Sequence, residues 1–167
     1  MKVDGRTDLE TSVKVGDLAP DFEGTTFDGT KLRLSDFLGK KNVVLYFYPK
    51  DETEDCTTEA CKFRDNLHSI RSMWTEVVGV SLDSIQSHRE FSQKHQITFP
   101  LLSDEEKKIT KAYGVLSKDS GHAERVTFII DRTGRVVKIF PQVDVTKHTH
   151  QVVEALKLMT HRRTRKA

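Results

Sequence analysis

Cys56 and Cys61 are the only thiols in a chain of 167 residues, and both fall in the stretch YFYPKDETEDCTTEACKFRD, Tyr46 to Asp65. From Asp51 to Cys61 that stretch carries Asp51, Glu52, Glu54, Asp55 and Glu59 and no basic residue. The thiolate is the form of cysteine that attacks electrophiles and binds metals, so a working thiol calls for positive charge nearby. The local charge here opposes ionisation. If sulfur does chemistry in this protein, the cation that activates it comes from another part of the chain.

The neighbours of Cys56, namely Thr53, Glu54, Asp55, Thr57 and Thr58, are all polar, which fits poorly with a cysteine serving as a small buried hydrophobe. Cys61, beside Ala60 and near Phe63, fits that bland role better, and for it the question stays open. A closed zinc site takes four ligands, and two cysteines would have to recruit histidines. Of the seven histidines, His148 and His150 lie close in sequence, but at i, i+2 they point to different sides of a helix. No metal or other cofactor is expected. A dithiol exchange pair would be C-x-x-C, whereas four residues separate these cysteines. Such proteins also place a proline just before the strand facing the site, where this chain reads HAERVTF. Thioredoxin-like thiol–disulfide exchange and a non-enzymatic redox sensor are the competing classes.

The elements that must hold these residues can be read from periodicity. NVVLYFYP (42–49) is a continuous apolar run ended by proline, as in a strand buried on both faces. CTTEACKFRDNLHSIRSMW (56–74) places Ala60, Phe63, Leu67, Ile70 and Trp74 at steps of three and four, which predicts one helix. VVGVSL (77–82) reads as a second buried strand and SIQSHREFSQKHQI (84–97) as a helix. DEEKKITKAYGV (104–115) reads as a third helix capped by Ser103 or Asp104. RVTFIID-RTG-RVVKIF (125–140) is a strand, a turn and an antiparallel strand, and residues 148–163 form a closing amphipathic helix. Ahead of these, turn signals at Ala19-Pro20 and Asp28-Gly29 predict a hairpin within 13–40, then a short helix capped at Ser35.

This order is that of an α/β protein with a mixed central sheet flanked by helices, and it fits a thioredoxin-like fold with an N-terminal β-hairpin extension. Sites in such sheets form beyond the C-terminal ends of parallel strands. Cys56 follows the first buried strand by seven residues beyond Pro49, at a helix start, where a site is expected.

Length and composition set the frame. One domain is expected over 13–160, with a loose N-terminal arm (1–12) and a basic C-terminal tail (161–167). With 36% hydrophobic and 31% charged residues, the chain is a well-solvated globular protein. A net charge of +2 implies no polyanionic partner, and the tail HRRTRKA reads as a solvated run rather than a nucleic-acid contact. No apolar run approaches the ~20 residues of a membrane span. The opening MKVDGRTDLETS lacks the apolar core of a secretory signal. A cytoplasmic address and no membrane partner are expected.

Pro49-x-x-x-Thr53-x-x-Cys56 resembles the P-x-x-x-T-x-x-C signature of peroxiredoxins. YFYPKD…CTTEAC-x-FRD is similar to the peroxiredoxin Q subfamily, also called bacterioferritin comigratory protein. The similarity runs on through GVSLDS-x-x-SH, FPLLSD, AYGV and RVTFIID, over roughly residues 13–157. The resemblance implies a thiol peroxidase acting on hydrogen peroxide and organic hydroperoxides. Cys56 matches the peroxidatic cysteine, Thr53 the hydroxyl that holds peroxide, and Pro49 the residue that shields the pocket. Arg125 matches the active-site arginine, and Cys61 the resolving cysteine that some members carry five residues on. The reductant implied is thioredoxin or a glutaredoxin-like dithiol. With both cysteines in one segment, turnover needs no second subunit, and a monomer is expected.

One departure is Glu54-Asp55 where the family commonly has Pro-Gly. The resemblance also supplies the missing cation. Arg125, brought across the fold, would offset the local acids with a charge that does not titrate away. The N-terminus of the helix would add to it. Glu59 is a candidate to hold the guanidinium, and Asp55 a candidate N-cap. An unperturbed thiol is only about 3% thiolate at pH 7, so full ionisation gains about thirtyfold. The remainder of the rate has to come from groups that bind the peroxide and stabilise its leaving oxygen.

Overall fold

The computed structural model describes residues 11–166. Residues 1–10 of the expected arm and the side chains of the basic tail (161–167) lie outside the described residues. Among the described residues seven strands form one mixed sheet: β1 (Glu23–Thr26), β2 (Lys31–Arg33), β3 (Asn42–Phe47), β4 (Thr75–Ser81), β5 (Leu101–Ser103), β6 (Val126–Ile130) and β7 (Val136–Phe140). Their order across the sheet is β2-β1-β5-β4-β3-β6-β7. β3, β4 and β5 run parallel, while β6 lies antiparallel to β3 and β7 to β6. β1 and β2 form the expected N-terminal hairpin, and β1 pairs antiparallel with β5. The hairpin turns through Gly29, whose φ of +87° suits a residue without Cβ.

Side-chain alternation along β3 explains why the strand reads as one apolar run. Val43, Leu45 and Phe47 enter one core with Val78, Val80, Leu102, Val126 and Phe128. Val44, Tyr46 and Tyr48 enter a second core on the opposite face, with Cys56, Ala60, Phe63, Phe91 and Val152. Each such large side chain contributes about 1.5–3 kcal/mol by leaving water. Four helices cover the second core: α1 (Glu54–Asp65), α2 (Leu67–Arg71), α3 (Ile85–His95) and α5 (His148–Lys166). A short helix, α4 (Lys108–Ala112), and the N-terminal segment cover the first. Gly79 faces Tyr46 in the β3–β4 register. A Cβ there would come within 2.8 Å of Leu101 and 3.0 Å of the Tyr46 ring, so any larger residue would displace the ring. That ring packs 4.8 Å from Phe63 of α1, which makes Gly79 part of how the sheet seats α1.

Several expected boundaries move. The helix predicted over 56–74 breaks at Asn66, whose side chain donates to the Lys62 carbonyl. It ends at Arg71, leaving Trp74 at φ +55° and 64% exposed instead of on the apolar stripe. The helix predicted over 104–115 shrinks to Lys108–Ala112, with Lys107 at its N-cap. Asp104 still performs the capping chemistry, accepting from the Ile109 and Thr110 amides at 3.1 and 2.8 Å. The helix placed at Ser35 is a single 3-10 turn, Leu34–Phe37, entered from Arg33. FPLLSD, which the periodicity left unassigned, supplies β5. Three residues are too few to show a period, and their strand character comes from pairing with β4 and β1.

Candidate active site

β3 runs parallel to β4 and ends at the edge where the chain turns through Pro49 into α1. Because β6 is antiparallel to β3, with Phe47 opposite Val126, the start of β6 lies beside the end of β3. That pairing delivers Arg125 to the helix carrying Cys56. Parity aims it, since Arg125 shares a sheet face with Thr127 and Ile129, the face that α1 covers.

Arg125 Nη2 donates to Cys56 Sγ at 3.3 Å, and Nη1 donates to Glu59 Oε1 at 2.7 Å. Burial works against the guanidinium's charge, but Glu59 and Cys56 outweigh it and hold Arg125 above its ordinary range. For Glu59 burial outweighs the pairing, so the charged form is the one disfavoured. Burial pushes its carboxyl up to about 7 despite the pairing with Arg125. Both follow from one geometry, in which a fully buried carboxylate loses more to desolvation than one partner returns. Among the described residues Glu59 Oε2 has no hydrogen-bond partner, and His148 Nε2 stands 4.0 Å from it. His148 is itself buried and lies 2.7 Å from Thr127 Oγ1. Burial and the nearby Arg125 push it down to about 4, so it is neutral above that pH.

Cys56 is 1% exposed, which corrects the inference from its polar neighbours. On α1 the buried positions are Cys56, Glu59, Ala60 and Phe63, an i, i+3, i+4, i+7 stripe. The polar residues around Cys56 in sequence occupy the other sides of the helix. Cys61, expected against the apolar face, is only partly buried. It is five residues from Cys56, or about 140° around the helix. The thiol with polar sequence neighbours is therefore the more deeply buried one.

Thr53 is the N-cap of α1 in extended conformation, and its hydroxyl donates to the Lys50 carbonyl at 3.0 Å. This displaces Asp55 from the capping role. Asp55 lies inside the first turn with Glu54, where carboxylates favour the helix dipole. Pro49 is half-buried, directly after Tyr48. The geometry thus brings Cys56, Arg125 and Glu59 into contact, with Thr53 at the helix entrance and Cys61 on another side of α1.

The sequence did not reveal where the remaining loop acids go. Asp51 is buried and accepts from the Tyr48 hydroxyl at 2.7 Å and the Ser87 hydroxyl at 2.8 Å. His88 Nδ1 lies 2.7 Å from its Oδ2, while His88 Nε2 lies 3.1 Å from the Leu102 carbonyl. The Asp51 amide donates to Asp83 Oδ2 at 2.9 Å, which also accepts from the Ser81 hydroxyl. Asp51, Asp83 and His88 offer ligand atoms within 4.8 Å of one another. Those atoms are already engaged by hydroxyl, amide and imidazole groups, the pattern of a hydrogen-bonded clamp. GVSLDSIQSH was the available hint: a polar cluster at a strand end, followed by a helix capped by Ser84.

The AhpC/TSA family profile matches residues 15–139. Peroxiredoxin Bcp of Bacillus subtilis is 41% identical over 157 residues, 90% of this chain and 99% of that protein. Peroxiredoxin Q of Oryza sativa subsp. japonica, a chloroplastic protein, is 40% identical over 146 residues, 86% of this chain and 67% of its own. Among solved structures, Xylella fastidiosa PrxQ, in a cysteine-to-serine mutant, aligns with a TM-score of 0.84 at 34% identity, covering 90% of this chain and 99% of that one. Xanthomonas campestris bacterioferritin comigratory protein, studied for alkyl peroxide reduction, aligns at 0.81 with 31% identity, again covering 90% and 99%.

Proposed function

We propose a catalytic assignment for this chain, which belongs to the AhpC/TSA family and is a peroxiredoxin, a thiol-dependent peroxidase. Cys56 is the peroxidatic residue. Its thiolate attacks the terminal oxygen of a hydroperoxide and the O–O bond breaks. The leaving oxygen takes a proton, giving water or an alcohol, and Cys56 becomes a sulfenic acid. The observation that carries this assignment is the contact of Arg125 Nη2 with Cys56 Sγ at 3.3 Å. A guanidinium there is available to stabilise the negative charge that develops on the oxygens during transfer. Thr53, at the helix entrance, is the hydroxyl that holds the peroxide, and Pro49 shields the pocket beside it.

Cys61 resolves the intermediate. Its sulfur attacks Cys56 Sγ, the S–O bond breaks, water leaves and a disulfide forms. Thioredoxin or a glutaredoxin-like dithiol reduces it by exchange. Hydrogen peroxide and organic hydroperoxides are the substrate class, a choice supported by the alkyl peroxide reduction studied in the Xanthomonas relative. Both cysteines lie in one chain segment, which supports turnover as a monomer. The expected location is the cytoplasm, and no described helix is long and apolar enough to cross a membrane.

The test is consumption of a dithiol reductant by purified protein, with and without peroxide and with no added metal. Consumption that depends on peroxide and stops on blocking Cys56 is expected. Disulfide exchange without any peroxide requirement would replace this assignment with a dithiol oxidoreductase.

A further inference from the structure

The segment that holds both cysteines is tied at its two ends to the same helix. On the N-terminal side, Asp51 is engaged by Ser87 and His88 of α3. Glu52 Oε1 lies 3.1 Å from His95 Nε2 and 3.7 Å from Lys94 Nζ. On the C-terminal side, Arg64 Nη1 donates to the His95 carbonyl at 2.7 Å. His95 is the last residue of α3, where a helix leaves carbonyls unpaired and favours a cation. Its ring packs edge-on against Phe91, 5.1 Å between centroids, which fixes the imidazole from behind. Glu52 holds a left-handed φ of +66°, a conformation that a non-glycine residue keeps only when its surroundings impose it. One residue, His95, thus receives Glu52 on its side chain and Arg64 on its backbone, while Cys56 and Cys61 lie between those two points.

We propose that His95 is a positioning residue for the resolving step. It fixes residues 52 and 64 to one point on α3, so that α1 opens between these ties and not beyond them. The proposal rests on the reading of Cys61 as the resolving cysteine. Two cysteines five residues apart on a helix cannot be bridged without local unwinding. Where that unwinding stops decides how far the sulfurs can stray. Closing a loop this short costs little in entropy, so the opening that the ties restrain sets the rate of the resolving step. The same ties restrain opening in the reduced protein, so weakening one speeds opening.

Hydrogen exchange of the reduced protein, together with rapid-mixing kinetics using hydrogen peroxide, tests this in wild type, His95→Ala, His95→Gln and Arg64→Ala. Losing a half-exposed pair of this kind is expected to speed amide exchange over residues 53–63 and disulfide formation by about threefold to fivefold. The rate of Cys56 oxidation should not change, and the peroxide concentration that drives Cys56 to sulfinic acid should rise. His95→Gln, whose amide can still donate to Glu52, should return to near wild type. Acceleration spread equally over β3, β4 and β5 would mean a general loss of stability and overturn the proposal. Wild-type protein that forms a Cys56–Cys61 disulfide at a rate unaltered in His95→Ala overturns this proposal alone. Wild-type protein that forms no such disulfide on mass analysis overturns the assignment of Cys61, and this proposal with it.

Discussion

Arg125 stands 69 positions beyond Cys56 in the chain, yet its guanidinium donates to that sulfur at 3.3 Å and to Glu59 at 2.7 Å. One planar fork is shared between a thiol and a buried carboxylate. Glu59 fixes the plane of the fork, and Arg125 brings to a loop rich in acids the charge that its own sequence lacks. The other acids are kept from opposing it: Asp51 is bound into the clamp with Ser87 and His88, Glu52 is paired with His95, and Glu54 and Asp55 face solvent.

Arg125→Ala is expected to slow the reaction of Cys56 with hydrogen peroxide by about a hundredfold, the usual cost of removing one donor to developing negative charge. Arg125→Lys should recover only part, because an ammonium cannot engage sulfur and carboxylate together in one plane. The stability of the alanine variant should depend on pH. Arg125 holds the Glu59 carboxyl down, so its loss raises that group above about 7, and the variant keeps the proton at pH 6 and loses stability as the pH climbs towards and past 8. Stopped-flow rates and urea midpoints at pH 6 and 8 check both parts. A wild-type rate in the alanine variant would mean that the contact has no part in the chemistry.

The cysteines should separate cleanly by substitution. Cys56→Ser is expected to abolish peroxide turnover. Cys61→Ser should leave one equivalent of peroxide consumed at the wild-type rate, with sulfenic acid trapped on Cys56 and dithiol-driven turnover lost. Peroxide consumption by Cys56→Ser, measured under the same conditions, would reverse the roles.

Two buried groups behind the site should give opposite pH dependences of stability. Glu59 titrates at about 7 in the folded protein against an ordinary 4.5. Between those values the native state holds a proton that the unfolded chain has lost, so acidification through this window stabilises the fold. His148 titrates at about 4 against an ordinary 6.5. In its window the unfolded chain takes the proton, and acidification destabilises. From pH 6.5 to 4.5 the two slopes oppose each other. Glu59→Gln removes the first, so on acidification over that range the variant should lose stability relative to wild type by up to about 1.4 kcal/mol per pH unit. Chemical denaturation at pH 7, 6 and 5 measures it, and parallel curves for the two proteins would show that Glu59 does not titrate there.

Strands β3, β4, β6 and β7 and helix α3 were legible because apolar runs and helical spacing report burial directly. The start of α1 was less so. Polar neighbours of Cys56 suggested an accessible thiol, but a helix separates neighbours in sequence by 100°, and Cys56 shares its face with Glu59, Ala60 and Phe63. The motif pointed to Arg125, and the antiparallel β3–β6 register explains how it arrives. Asp51, His88, Thr127 and His148 were not legible as site residues, since the contacts that join them, Asp51 to His88 and Thr127 to His148, span 37 and 21 positions and no local period marks them. β5 and the truncation of α4 escaped for the same reason. Three- and five-residue elements take their structure from what they pair with.

Oxidation to a Cys56–Cys61 disulfide is expected to open the first turns of α1. Cys56 and Cys61 lie on one continuous helix, Glu54–Asp65, where five residues span ~7.5 Å of rise and leave the Cα atoms ~8.6 Å apart. A disulfide tolerates at most about 6.8 Å, with the Cβ vectors facing each other. The bond therefore requires the first turns of α1 to unwind. Cys56 must leave the core it shares with Tyr46, Tyr48 and Phe63, and the Glu59–Arg125 pair in the same turns is disrupted. Thr57 and Thr58 are weak helix formers and ease the unwinding. Releasing Glu59 to water also lowers its carboxyl toward the ordinary range. Between about pH 4.5 and 7 opening thus releases a proton, and rising pH favours the unwound form. Oxidation should reduce the helical circular-dichroism signal and speed amide exchange over about residues 55–63, with β3 and β4 still protected. The oxidised protein should be less stable than the reduced one despite its added covalent link, because lost packing outweighs what closing so short a loop contributes. Equal helix content and equal exchange in the two redox states would sink this prediction and point to a partner for Cys56 other than Cys61 of the same chain.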